Sequence, residues 1–129
     1  MDKIVLSGFA DEISSSLDRQ IQVLKKLGIS HMEIRGVEKK GIDTYTTEEV
    51  KEIKGKLDDQ GIAISSLASP IGKINIKDDF TPHLEHFKHV AELAHVLNTR
   101  YIRMFSFFMP EGEEPDGYKE TVFEQLDQL

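Results

Sequence analysis

Charged side chains set at alternate positions within short apolar segments raise the first chemical question. In His31-Met32-Glu33-Ile34-Arg35 and in Arg100-Tyr101-Ile102-Arg103-Met104-Phe105, each charge is flanked by large hydrophobic residues. A strand sends successive side chains to opposite faces, so Met32 and Ile34 share one face, as do Ile102 and Met104. Glu33, Arg35 and Arg103, with Tyr101 and Phe105, then share the other, joined by Ser65 or Ser66 from the segment 63–67. One carboxylate and two guanidiniums on a sheet face can hold a polar substrate or close on one another as an internal ion-pair network. We expect Glu33, Arg35 and Arg103 within contact distance of one another, and we read Glu33, Arg35, Ser66, Lys73 and Arg103 as candidate substrate-binding residues.

Other groups capable of chemistry cluster in loops. Asp11-Glu12 follows the first apolar segment and can take a metal, a sugar hydroxyl or a basic side chain, or serve as acids favoured at a helix entry. Ser69-Pro70-Ile71-Gly72-Lys73 offers turn geometry, free N–H groups and one ammonium, a modest anion site. Ser106-Phe107-Phe108-Met109-Pro110 is apolar enough to wall a site or to pack on a neighbouring loop. His83, His86, His89 and His95 suggest a metal, but three-residue steps drift around a helix and no carboxylate-containing zinc motif accompanies them, so we read a solvated face. The sequence has no Gly-x-Gly-x-x-Gly fingerprint, no phosphate-binding P-loop and no Gly-x-Ser-x-Gly elbow.

The elements that must carry these groups are legible as a repeat. Strand candidates are 3–7, 31–35, 63–67 and 100–105. Helical spacing of apolar residues fills the intervals: Leu17, Ile21, Leu24 and Leu27; Val50, Ile53 and Leu57; Leu84, Phe87, Ala91 and Ala94; and Val122, Phe123, Leu126 and Leu129. Thr46 with Glu49 reads as a capping box, Ser15 with Asp18 as a weaker one, and Thr81-Pro82 as a cap followed by proline at the first helical position. Gly28, Gly61 and Asn98 stand where helices should end in the left-handed backbone. Repeated βα units imply parallel strands with right-handed crossovers. The strand-to-helix links 36–45, 68–81 and 106–116 are long and the reverse links short, which places function at the strand C-terminal ends. The expected fold is therefore α/β: four consecutive βα units on a parallel sheet, forming one domain over residues 1–129.

Composition narrows the partners. With 129 residues, 16 Lys plus Arg against 23 Asp plus Glu and a net charge of −7, the chain is acidic and has no basic block, so nucleic acid is not an expected partner. The absence of cysteine excludes a disulfide scaffold and fits a cytoplasmic setting; no run is long enough to span a bilayer, so a membrane is not expected either.

Four strings taken in order resemble a known family. Ser7-Gly8-Phe9-Ala10-Asp11-Glu12-Ile13, Met32-Glu33-Ile34-Arg35-Gly36, Ser65-Ser66-Leu67-Ala68-Ser69-Pro70-Ile71-Gly72-Lys73 and Tyr101-Ile102-Arg103-Met104-Phe105-Ser106-Phe107 look like the front of a sugar phosphate isomerase/epimerase of the xylose isomerase-like TIM-barrel superfamily. The resemblance implies a (β/α)8 fold, a divalent metal such as Mn²⁺ or Mg²⁺, a sugar or sugar phosphate substrate, and proton transfer next to a carbonyl. A complete barrel takes about 250 residues, so the chain is expected to be its N-terminal half. It also stops inside an amphipathic helix without a glycine cap, as if cut. The family's Glu, Asp, His and Glu metal ligands come from later strands; none maps here, so the chain alone is expected to hold no metal and to be inactive. The alternative is a non-catalytic half-barrel that binds a sugar (phosphate) or acts as an assembly module. A receiver-like domain would need an Asp where Ser65-Ser66-Leu67-Ala68 stands, and the superfamily's DNA-repair endonucleases would need early strand-end histidines. Open edges at the first and fourth strands predict a homo-oligomer.

Overall fold

The computed structural model describes residues 3–129. A parallel sheet in the order β1-β4-β5 is built from β1 (His31–Ile34), β4 (Ala63–Ala68) and β5 (Ile102–Arg103). Between β1 and β4 the chain makes a small antiparallel hairpin from β2 (Gly36–Val37) and β3 (Lys40–Gly41). Four helices, α1 (Leu17–Lys26), α2 (Thr47–Asp59), α3 (Phe80–Val96) and α4 (Lys119–Asp127), follow the successive strand positions.

One face of the sheet is sealed. Met32, Ile34, Ile64 and Leu67 are buried with Ile21 and Leu24 of α1, Val50 and Leu57 of α2, and Val90 and Leu93 of α3 in one apolar cluster. Each such side chain contributes about 1.5–3 kcal/mol when fully withdrawn from water, so this layer holds the strands in register. A second, smaller cluster of Ile76, Phe80 and Phe107 lies under the loops after β4 and β5, with Val122 and Leu126 of α4 packed on it. Those two loops are laced by backbone bonds: the N–H of Phe105 donates to Ile71 O at 2.7 Å, Phe107 to Gly72 O at 2.9 Å and Phe108 to Ile74 O at 2.8 Å.

Several sequence expectations change in detail. The segment 3–7 is not a laddered strand: the chain meets β1 only just after it, through one bond from Glu33 N–H to Gly8 O and the bridge between Phe9 and Glu33. Ile4, Val5 and Leu6 remain 86, 56 and 65% exposed. An edge segment gains ladder bonds on one side only, and these side chains find no apolar surface among the described residues to offset the ordering of a strand. The last strand shortens to two residues because the chain from Met104 onward leaves β5 to lace against the β4 loop. Ser16, not Ser15, caps α1 by accepting from Arg19 N–H, and Asp79, not Thr81, caps α3 by accepting from Thr81 N–H. The Thr46–Glu49 box forms as expected, and Gly28, Gly61 and Asn98 all have positive φ. The hairpin turn is carried by Glu38 and Lys39 at φ 52° and 65°, residue types that give little sequence signal for such a turn. Glu38 compensates by accepting from Leu17 N–H at the start of α1, at 2.9 Å.

Gly72 is where the two laced loops come closest. At φ +87°, a Cβ there would stand 1.7 Å from the carbonyl oxygen of Phe105. Gly28, at φ +71°, has nothing within 4 Å of the equivalent position. Gly28→Ala should therefore cost only the left-handed penalty, about 1–2 kcal/mol. Gly72→Ala, which adds a backbone clash, should cost about 3 kcal/mol or more. Urea unfolding of the two variants measures the difference, and equal losses would show that the loops yield at Gly72.

Candidate functional site

The unsealed face of the sheet carries the charges. Glu33 on β1 pairs in register with Ser66 on β4, after an irregularity at Met32/Glu33 that leaves Ser65 as an extra residue. A bulge of this kind lets two successive residues serve one face. Ser65 Oγ lies 2.6 Å from Ser7 Oγ, while Ser66 stands opposite Glu33. Arg103 on β5 pairs with Ala68 and brings its Nε to 3.4 Å from Glu33 Oε1.

Arg35 does not join that pair. The expectation of mutual contact among Glu33, Arg35 and Arg103 is corrected in this respect: Arg35 turns to the loop after residue 8. Its Nε donates to Asp11 Oδ2 at 2.7 Å, and its Nη2 donates to Asp11 Oδ1 at 2.9 Å and Glu12 Oε1 at 2.6 Å. A two-point fork onto a carboxylate outcompetes a one-point contact across the sheet. Hydrogen bonds to Asp11 first, then Glu12, hold the guanidinium protonated still more firmly than an ordinary arginine. Gly36 permits this closure, because a Cβ there would stand 3.0 Å from Asp11 Oδ2.

Aromatic rings link the cations. The guanidinium carbons of Arg35 and Arg103 lie 4.5 and 5.3 Å from the centroid of Phe9, Arg103 lies 5.0 Å from that of Phe105, and Lys73 Nζ lies 4.5 Å from the same ring. Lys73, Phe105, Arg103, Phe9 and Arg35 thus form one alternating series across the strand ends. Each cation–ring contact contributes about 0.5–1 kcal/mol at exposed sites and more where water is excluded. Phe9 was not singled out from sequence; its signal was a ring one residue past Gly8, at the level of Glu33. Tyr101, expected on this face, is largely exposed at the edge.

Arg103 differs from Arg35 in what it leaves free. Among the described residues its guanidinium makes no hydrogen bond: its buried Nε is ion-paired with Glu33 Oε1 at 3.4 Å without hydrogen-bond geometry. Its side chain is one-third exposed, and the two rings set its plane. A guanidinium with free N–H groups can donate to an oxygen-bearing group.

No three His, Asp or Glu among the described residues approach closely enough to hold a metal ion. Asp11 and Glu12, the nearest candidates, are committed to Arg35, so this donor set does not fit a divalent cation. Clefts of about 520 and 610 Å³ lie on the helical exterior, one beside Asp18, Lys25 and Lys56 and the other beside Phe87, Ala91 and His95, away from these residues. No helix of the described residues is long and apolar enough to cross a membrane.

Comparison with known proteins shows the family. The family model described as xylose isomerase-like TIM barrel matches residues 21–129. The chain belongs to that family. No curated protein matches it in sequence. Among solved structures, the xylose isomerase-like chain is similar to the probable 3-DHS dehydratase AsbF from Bacillus anthracis, with 17% identity and a TM-score of 0.72 over 95% of this chain and 46% of that one. D-psicose 3-epimerase, solved in the presence of D-fructose, gives 16% identity and a TM-score of 0.69 over 94% and 46%. A xylose isomerase-like TIM barrel protein from Mycobacterium smegmatis in complex with magnesium gives 14% and 0.63 over 94% and 48%. Identities this low show the fold. The chain spans about half the length of these structures, and its parallel βα units correspond to half of a xylose isomerase-like (β/α)8 barrel.

The Arg35–Asp11 contact yields a measurable quantity. The pair is bidentate but partly exposed, at 39 and 17%, so a double-mutant cycle with Asp11→Asn and Arg35→Gln should return a coupling of about 0.5–1 kcal/mol that shrinks in high salt. A coupling indistinguishable from zero at low salt would mean that the fork does not persist in solution.

Proposed function

We propose that this chain supplies the substrate-holding half of a sugar isomerase/epimerase-type site, which moves a proton next to a carbonyl. The observation that supports the reading is the Arg103 fork, ion-paired with Glu33 but free of hydrogen bonds, held between Phe9 and Phe105 at the strand C-terminal ends beside Ser66. In this reading Ser66 and Glu33 hydrogen-bond sugar hydroxyls. Arg103 donates to the oxygen on which negative charge develops as the adjacent carbon loses its proton, the position where a fixed donor contributes most. Lys73 reaches the far end of the same substrate, including a phosphate where the sugar carries one. Arg35 holds Phe9, and through it the plane of Arg103.

Asp11 and Glu12 are each bound by Arg35, and Glu33 faces Arg103. We therefore assign the acid/base pair and the divalent metal of the family to residues outside this chain, which alone binds without turnover. The neighbour solved with magnesium and the epimerase solved with D-fructose support the class of chemistry. The absence of cysteine supports a cytoplasmic setting.

Calorimetric titration of the full chain with a ketose and with its phosphate ester tests the reading. At least one should bind, and Arg103→Ala should weaken that binding by about tenfold or more, the factor expected for a lost charged hydrogen bond. Unchanged affinity in Arg103→Ala, or no binding of either sugar, would overturn it. The exposed Ile4, Val5 and Leu6 on one edge and Tyr101 on the other support self-association of half-barrels. Light scattering over a dilution series should show a dimer, and a monomer throughout would remove that part.

A further inference from the structure

Three histidines of α3 clamp two different loops, contrary to the solvated face expected from their spacing. His83 Nε2 lies 2.8 Å from Gly72 N, His86 Nε2 lies 3.0 Å from Asp43 Oδ2, and His89 Nε2 lies 2.8 Å from Tyr45 O. Donor and acceptor bookkeeping fixes what each ring must be. A backbone carbonyl only accepts, so His89 Nε2 carries a hydrogen; a backbone N–H only donates, so His83 Nε2 does not. His86 can face its carboxylate either neutral or charged. His83 alone of the three makes a bond that a proton would abolish, because an imidazolium has donors at both nitrogens and no acceptor.

We propose that His83 is a pH-sensitive latch on the loop after β4, closed while its ring is neutral and released when the ring takes a proton. The latch grips the loop where it matters mechanically. Gly72 wedges its backbone against Phe105, its carbonyl accepts from Phe107 N–H, and the next residue is Lys73, whose ammonium stands over the Phe105 ring. Loss of the Gly72 anchor therefore frees the Lys73 end of the cation–ring series while leaving Arg35 and its carboxylates untouched.

The surroundings of His83 favour the neutral form. Phe80 packs against it at 6.0 Å between ring centroids, and His86 stacks on it at 6.5 Å with planes 15° apart. Burial, then the neighbouring His86, lower its pKa from the ordinary 6.5. Of the other ionisable groups nearby in sequence or in contact, Asp43 is engaged by His86, Asp79 by Thr81 N–H, Glu85 by Lys88, and Lys73 by Phe105. None supplies His83 with a countercharge. For a histidine whose folded pKa is depressed, the unfolded chain binds the proton more readily, so the latch contributes fully above the ordinary 6.5 and is lost as the pH falls toward the lower folded value.

Amide exchange at Gly72, followed by NMR on the full chain alongside the His83 ring resonances, tests the proposal without reference to any substrate. From about pH 7.5 to one unit below the His83 midpoint, the Gly72 protection factor should fall about tenfold, in step with His83 titration. His83→Gln offers an acceptor oxygen that does not titrate, so its Gly72 protection should be flat over the same range. His83→Phe keeps the ring volume without an acceptor and should be flat as well, at low protection. Protection that stays constant in the native chain while His83 titrates would overturn the latch, as would a fall that persists in His83→Gln.

Discussion

Burial of Met32, Ile34 and Leu67 under the helices dictates what the other face of the sheet can carry. Because strand side chains alternate, fixing these residues inward on the helical side fixes Glu33, Ser66 and Arg103 on the opposite side with no further choice. A slip of one residue would drive Glu33 into the apolar layer, where an unpaired carboxylate costs several kcal/mol. The polar face is thus specified by the apolar one. It needs no attraction among its own charges to exist, which is why Arg35 is free to leave its strand neighbours and take Asp11 and Glu12 instead.

This separation explains what was legible from sequence. The Thr46–Glu49 box and the three left-handed helix ends depend on residues close in the chain, and each forms where the sequence places it, whereas the helical stripes form in part: Leu27 and Phe123 stand 63 and 51% exposed. The two faces of β1 follow from period two alone, whereas in β5 the rule holds for Ile102 and Arg103 and not for Tyr101, which is exposed at the edge. The bulge at Ser65 depends on the pairing of β1 with β4, which no local pattern encodes. The choice of partner for Arg35 is likewise tertiary: it turns on the missing side chain of Gly36 and on a loop 24 residues earlier in the chain. The histidines of α3 were misread for the same reason, since a three-residue step describes the helix but says nothing of the loops that reach it.

The electrostatics of the face assign different work to its two arginines. Arg35 spends its Nε and Nη2 on carboxylates and is a fixed support for Phe9. Arg103 has only a 3.4 Å approach to Glu33 and is oriented by rings. A ring restrains the guanidinium plane without consuming its N–H donors, whereas a carboxylate does both.

The two rings are in turn placed by backbone. Phe9 follows the Glu33 N–H to Gly8 O bond, and Phe105 donates its own N–H to Ile71 O. Each cation–ring contact is of order a kcal/mol, too little to hold two loops in place unaided. It suffices to orient a side chain once the backbone has brought the ring within reach. The series from Lys73 to Arg35 is therefore only as rigid as the lacing of the β4 and β5 loops, and that lacing passes through a glycine whose amide is held by a single imidazole. The helix-covered layer and the loops that carry the rings are joined at Ile71 and Gly72: Ile71 is buried in the cluster of Met32, Ile34 and Leu67, and Gly72 carries the contact with Phe105.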